Sequence, residues 1–248
     1  MANSASGDSV VDRIVRILEA FPEGISSLPL GELAERAGLP LTSAHRLVKQ
    51  LAEHRLLEQA PGGKVQLGLR LWELVNRNSP TLVLRQAALP FMDDIHQVLN
   101  QNVNLGVLQG DDVLFVERFS RRGSVANRAK VAGRMPVHIS SAGIALMSAQ
   151  PAHVQAAYLS RFRDPAGKTT TDHVRQLLAA ASAQGYAELA GVVDPDTWGI
   201  AVPVHDRQRR PVAAIGVVVP LAEVRIPQIV PALRTAARGI GRQLGGPE

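Results

Sequence analysis

The chain is predicted to fold as an N-terminal, mainly α-helical winged helix-turn-helix domain followed by a C-terminal α+β domain. Three observations predict this. Leu30 to Leu67 reads in order as a helix, a glycine stop, a short turn, a second helix and a hairpin. Asn76 to Pro80 is polar and ends in Ser-Pro, the signature of a linker. Beyond it, strand-like and helix-like runs alternate to the end of the chain, as in a sensor-like α+β fold.

The elements follow from their patterns. Ser9-Val10-Val11-Asp12 resembles a capping box, and Val10, Val11, Ile14, Ile17, Leu18 and Phe21 form one apolar stripe behind it. That stripe is wider than a three-helix core needs, so this helix either only packs the core or also meets a second copy. Leu30, Leu33, Ala34 and Ala37 recur at helical spacing and Gly38 stops the helix. After Leu39-Pro40-Leu41, the residues Ala44, Leu47, Val48 and Leu51 make a second stripe. The opposite face carries Thr42, Ser43, His45, Arg46, Lys49 and Gln50, with no carboxylate before Glu53. A helix laid in a DNA major groove needs such donors for base edges and phosphates. Leu56–Ala60 and Lys64–Leu67 flank Pro61-Gly62-Gly63 as a candidate wing. Thr42 and Lys64 are expected on phosphates, with Ser43, His45, Arg46 and Lys49 facing the groove. A pairing of Arg46 inside the domain is the alternative.

Leu69 to Val75 reads as a helix leading into the linker. The expected division is therefore 1–68 for the winged helix, 69–80 for linker helix and linker, and 81–248 for the second domain. There, Leu82–Leu99 is helical with a kink expected at Pro90. Val103–Leu108 and Val113–Phe119 are strands around a turn. Ala142–Ala149 and Val174–Gln184 are helices. Gly199–Val204 and Val212–Val219 are strands around the basic turn His205–Arg210. Glu223–Leu244 is a closing helix, expected to be broken by Pro227 and Pro231.

Composition narrows the function classes. The 248 residues are 46% hydrophobic, enough for a substantial core, and no apolar run is long enough to span a membrane. Met1 to Asp8 lacks the regions of a signal peptide, and there are no cysteines, so disulfides and thiolate chemistry are excluded. A cytoplasmic location is expected. The net charge of +5 is unevenly placed: residues 1–78 hold nine Lys/Arg and nine Asp/Glu, and residues 79–248 hold eighteen and thirteen. The electrostatic case for nucleic acid therefore rests on the local +2 of residues 41–55, where Arg46, Lys49 and Arg55 face only Glu53.

No catalytic motif emerges. The seven histidines have no metal-binding spacing, and there is no Walker A, G-x-S-x-G or G-x-G-x-x-G. His138 reads as structural, and Asp93-Asp94 and Asp111-Asp112 as caps or solvated turns. Neither a cofactor nor a metal is expected. Ser140-Ser141 precede a helix whose free N–H groups suit a carboxylate or phosphate. Simple N-capping explains these serines as well, and from spacing alone it is preferred.

The chain resembles the IclR family of bacterial transcriptional regulators over nearly its whole length. The resemblance lies first in Leu33-Ala34-Glu35, Gly38-Leu39-Pro40, Ala44-His45-Arg46-Leu47 and Val65-Gln66-Leu67-Gly68. It continues in Asn104-Leu105-Gly106-Val107, Arg134-Met135-Pro136-Val137-His138, Ala142-Gly143-Ile144-Ala145-Leu146, Gly185-Tyr186-Ala187 and Ile200-Ala201-Val202-Pro203-Val204. The later blocks in this order are the specific part. The resemblance implies a GAF-like effector-binding second domain and binding to operator DNA as dimers or pairs of dimers, under control of a small organic molecule. Both a GAF-like enzyme and an adaptor without ligand are rival readings.

Departures from the family pattern bear on that molecule. Gly199 stands where a cysteine is frequent, Leu189-Ala190-Gly191-Val192 replaces an acidic stretch, and Gly216-Val217-Val218-Val219-Pro220 replaces a Ser-x-Ser-Gly-Pro strand end. The implied pocket has walls of Leu105, Val107, Phe115, Met135, Leu189, Trp198, Gly199, Gly216 and Val218. Its one polar corner is Ser140, Ser141 and the N–H of Ala142. Gly199 and Gly216 are expected to enlarge it, so that an aromatic or bulky organic acid, ester or hydrophobic metabolite fits better than pyruvate or glyoxylate.

Overall fold

The computed structural model describes residues 8–22, 24–77, 79–121 and 128–245. The chain divides into two compact units, residues 1–79 and 80–248. Residues 1–7 and Asn78 of the expected linker lie outside the described residues.

In the first unit, α1 (Val10–Glu19) opens on a complete capping box. The Ser9 hydroxyl accepts from Asp12 N–H at 3.1 Å and Asp12 accepts from Ser9 N–H at 3.0 Å. Helix α2 (Leu30–Arg36) ends where Gly38 takes φ 62°, which glycine adopts without strain. Helix α3 (Leu41–Glu53) follows directly. Ile17, Leu33, Leu47, Leu51, Leu57 and Val65 close one core under the three helices. Strand β1 (Ser27–Leu28), which carries no alternation signal, pairs with β3 (Lys64–Leu67), and β3 pairs with β2 (Leu57–Ala60). Gly68 packs so closely on the Arg55 carbonyl that a Cβ would lie 2.1 Å from its oxygen. Helix α4 (Leu69–Arg77) buries none of its side chains within this unit.

The second unit is built on a six-stranded antiparallel sheet in the order β6-β5-β4-β9-β8-β7. The strands are β4 (Asn102–Gln109), β5 (Asp112–Phe119), β6 (Arg134–Pro136), β7 (Ala187–Ala190), β8 (Thr197–His205) and β9 (Pro211–Pro220). One face is covered by α5 (Pro80–Leu99) and α9 (Ile226–Gln243), packed on Val103, Leu105, Ile200, Val202, Ile215 and Val217. The other carries α6 (Ser141–Ser148), α7 (Ala152–Arg161) and α8 (Thr171–Gln184), packed on Val113, Phe115, Ala201 and Ala214. Side chains alternate between faces with period two, so sequence parity along each strand decides which core a residue joins.

The expected break of the closing helix is corrected: α9 starts at Ile226, with Pro227 in its first turn, and runs through Pro231. Helix α5 likewise holds Pro90 inside its span. Both internal prolines are exposed, so the carbonyls they leave unbonded can face water. The elements β6, β7 and α7 were not anticipated.

Candidate functional site

Helix α3 turns its apolar stripe inward: Ala44, Leu47 and Leu51 are buried. Thr42, His45, Arg46, Lys49 and Gln50 are exposed on the other side, and Ser43 is half-buried at the margin. Lys64 is exposed at the start of β3, just after a tight turn in which Gly62 and Gly63 both have positive φ. Among the described residues, Arg46 has no carboxylate partner, and the same holds for Lys49 and Lys64. A row of unspent donors and cations beside a hairpin can meet phosphates and base edges.

The cavity of the second unit lies between the sheet and the N-terminus of α6. Its volume is about 70 Å³, below the ~300–1,000 Å³ of typical small-ligand sites, and part of it opens to solvent. Gly143 brings this helix end into place: a Cβ there would lie 2.6 Å from the Cα and O of Val137. The Ser140 hydroxyl accepts from Gly143 N–H at 3.3 Å, so it is used as a cap. The first-turn N–H groups of Ser141 and Ala142 have no acceptor within the helix.

Nine of the twelve residues expected in the pocket line it: Phe115, Met135, Ser140, Ser141, Ala142, Leu189, Gly199, Gly216 and Val218. Leu105, Val107 and Trp198 do not. Leu105 and Val107 share the face of Val103, and Trp198 shares the face of Ile200, so all three pack against the core under α5 and α9. The pocket also has more than one polar corner. Asn104, Arg128, Asp194 and Thr197 line it, together with Ala129, Ile139, Val192, Val193 and Val217. Thr197 Oγ donates to the Asp194 carbonyl at 2.9 Å, and Asp196 N–H donates to the Asp194 carboxylate at 3.2 Å, which orders this wall. Asn104 and Thr197 were findable by parity, since they share the sheet face of Gly216 and Gly199. Arg128 and the 192–194 loop carry no periodic signal.

One of the two glycines acts differently from expectation. At Gly216 a Cβ would meet Ile200 O at 2.7 Å and Ala201 Cβ at 2.8 Å. Glycine is there for a close approach of strands, and no room is gained. At Gly199 the neighbour is the Ser141 hydroxyl.

His138 is buried, edge-on to Phe162 at 5.0 Å and 3.8 Å from the Asp164 carboxylate. Burial holds its pKa below the ordinary value, against the opposing pull of Asp164 and Asp112. Among the described residues, no group of three or more His, Asp or Glu is placed to hold a metal ion, and no helix is long and apolar enough to cross a membrane.

Residues 80–242 match the family described as bacterial transcriptional regulator IclR C-terminal, and residues 10–61 match the IclR helix-turn-helix domain. The chain is 31% identical over 249 residues to the glycerol operon regulatory protein of Streptomyces coelicolor, covering 95% of this chain and 96% of that one. It is similar to the crystal structure of an IclR homolog from Microbacterium hydrocarbonoxydans complexed with 4-hydroxybenzoate, at 38% identity and a TM-score of 0.88, over 96% of this chain and 100% of that one. An IclR homolog from Microbacterium sp. strain HM58-2 is 37% identical with a TM-score of 0.61, over 97% and 100% of the two chains. With both parts matched and the regulator likeness extending end to end, the chain belongs to the IclR family of bacterial transcriptional regulators.

Proposed function

We propose that the effector of this ligand-responsive, DNA-binding regulator is an aromatic or otherwise bulky organic acid held in the cavity beside α6. The observation that carries the proposal is the pairing of a free helix N-terminus with apolar walls. The N–H groups of Ser141 and Ala142 suit a carboxylate. Phe115, Met135, Leu189 and Val218 suit a ring. The similarity to a homolog complexed with 4-hydroxybenzoate supports the same class. Burying a ring there contributes several kcal/mol at about 25 cal/mol per Å² of apolar area. The polar groups Asn104, Arg128, Asp194 and Thr197 then serve a second functional group on the ligand, such as a ring hydroxyl.

On the DNA side, Ser43, His45, Arg46 and Lys49 read the groove, and Thr42 and Lys64 fix the backbone. The exposed apolar side chains of α1 and α4, including Val11 and Trp72, support a homodimer that matches a two-fold operator. The protein acts without catalysis, in the cytoplasm where its operator is. Its relatives are named regulators, and Ser140, the buried serine of the cavity wall, is engaged in capping.

Calorimetry against benzoate, 4-hydroxybenzoate, pyruvate and glyoxylate, with operator footprinting in parallel, tests this reading. Aromatic acids should bind and alter the footprint. Tight binding of pyruvate or glyoxylate, with no response to any aromatic or bulky ligand, would overturn it.

A further inference from the structure

We propose that the arginine stripe of α9 is a second, sequence-independent contact for duplex DNA phosphates. Arg234, Arg238 and Arg242 are spaced four residues apart and all are exposed. With a rise of 1.5 Å per residue they form one ridge roughly 12 Å long. The opposite face of the helix is fixed in the core by Ile229, Leu233, Ala236 and Ile240, and Gly239 lies against the Phe91 ring. The stripe is therefore held outward.

The ridge does not stand alone. The turn between β8 and β9 abuts the last turns of α9: a Cβ on Gly241 would lie 2.2 Å from His205 O, and one on Gly245 would meet the Arg207 guanidinium. Together the turn 205–210 and the α9 stripe carry Arg209, Arg210, Arg234, Arg238 and Arg242, with Asp206 as the turn's carboxylate. Asp206 is occupied by Arg210 at 2.7 Å. No Asp or Glu occurs anywhere between Val224 and Pro247. Asp93 and Asp94 on the neighbouring α5 make no ion pair with the stripe among the described residues, and Asp93 accepts from Gln97 instead.

Folding does not explain this arrangement. Like charges four residues apart on a helix repel. Arg242 gains from the helix C-terminus, but that gain is confined to the last turn, and Arg238 Nε donates to the Arg234 carbonyl at 3.3 Å, which uses one of its N–H groups. Arg234 donates to the Gln184 carbonyl at the end of α8, which uses one of its five N–H groups. An anionic partner accounts for the whole row.

Duplex DNA fits that partner better than an acidic protein. A protein interface depends on buried apolar or aromatic anchors. No large apolar side chain of α9 is exposed. A phosphate backbone needs only charge and forked donors, which arginine supplies. The charge ledger agrees: the winged-helix part is neutral overall, and the chain's +5 excess lies in residues 79–248.

The test uses the full chain and a random-sequence duplex, with binding followed by fluorescence anisotropy over a range of salt concentrations. In the variant carrying Arg234→Gln, Arg238→Gln and Arg242→Gln, affinity at low salt should fall roughly tenfold or more. The slope of log affinity on log salt should flatten by about 2–3, at ~0.9 per lost phosphate contact. The matching triple Arg→Lys variant should restore most of that slope. Should the triple Gln variant melt early, Arg238→Gln with Arg242→Gln leaves the α8 cap intact and should still flatten the slope by nearly 2. An unchanged slope and affinity in the folded Gln variant would overturn the proposal. So would loss of binding to polyaspartate, an acidic-protein mimic, while binding to the duplex stays intact.

Discussion

The hydroxyl of Ser141 occupies the place that a side chain on residue 199 would take: a Cβ built on Gly199 lies 2.8 Å from Ser141 Oγ. Helix α6 and strand β8 thus meet through a hydroxyl and a glycine, at the wall of the cavity. The contact is with the tip of a small, rotatable side chain, so the fold should tolerate Gly199→Ala. A valine there would drive the hydroxyl away and fill the space beside the first-turn N–H groups. For Gly199→Val we expect effector affinity to fall about tenfold or more, some 1.4 kcal/mol, with operator affinity unchanged in the absence of effector. Calorimetry and a gel-shift titration on the same preparation check this. Equal effector affinity in the two proteins would remove Gly199 from the site.

Gly216 presents the opposite case. Its neighbours are the Ile200 carbonyl and the Ala201 Cβ, and neither can rotate away. Gly216→Ala should therefore act first on stability, by about 1–3 kcal/mol, as overpacking of a filled core does. Urea melts of the two glycine variants should separate: the midpoint moves for Gly216→Ala and hardly at all for Gly199→Ala.

On α3, Arg46 and Lys49 are exposed and without a carboxylate partner among the described residues, so their removal should leave folding untouched. Arg46→Ala should weaken operator binding by about 1–3 kcal/mol and relax base preference at one position of each half-site. Lys64→Ala should weaken all duplexes alike and lower the salt slope by about 1. Unchanged operator affinity for a folded Arg46→Ala protein would assign that arginine no part in DNA contact.

How far the sequence led depended on whether a residue's environment is set by local period. The α1 capping box, the Gly38 stop and the α3 stripes are local, and they appear as read. The pocket is assembled from all six strands of the sheet, a helix end and two loops, so each residue's sequence neighbours say little about it. Phe115 and Leu105 looked alike as apolar strand residues, yet parity sends Phe115 to the cavity and Leu105 to the opposite core. The same rule applied to Gly199 and Gly216 would have delivered Thr197 and Asn104. No rule of period delivers Arg128 or Asp194, which loops carry in. The short strand β7 and helix α7 lack strong patterning: Ala187–Ala190 is four residues long, and Ala152–Arg161 buries only Tyr158.

Acid should destabilise the second unit through His138. Burial lowers the folded-state pKa below the ordinary value near 6.5, so the unfolded chain binds the proton first. Stability is then complete above that value and is lost as pH falls through it towards the folded pKa. His205 is shifted in the same direction, by partial desolvation and by the charge of Arg209, and adds to the same window. Asp164 belongs to a lower one. Burial works to raise its pKa, but the N–H groups of Ala166, Thr169 and Lys168 outweigh that and hold it below the usual value, so its contribution disappears only in stronger acid. Replacing His138 with glutamine should flatten the dependence of the urea midpoint between neutral and mildly acidic pH, leaving a smaller slope from His205. An equally steep dependence in the variant would exclude His138 as the titrating group.

The exposed apolar side chains of the first unit give the last expectation. Trp72 and Leu69 on α4 are 64% and 63% exposed, and Val11 on α1 is 66% exposed, although these helices carry the strongest apolar stripes of that unit. Single exposed apolar residues are ordinary, but a tryptophan among leucines and valines on one short helix marks a surface that is covered in use. Coverage by a second copy would also supply the two-fold symmetry that paired half-sites require. Trp72→Asp with Val11→Asp should give a folded protein that sediments as a monomer at micromolar concentration. It should bind an isolated half-site about as well as the parent and lose the added affinity for the paired site. A double variant that still sediments as a dimer would place the interface elsewhere. A parent protein that is monomeric and binds one unrepeated half-site would end the dimer reading altogether.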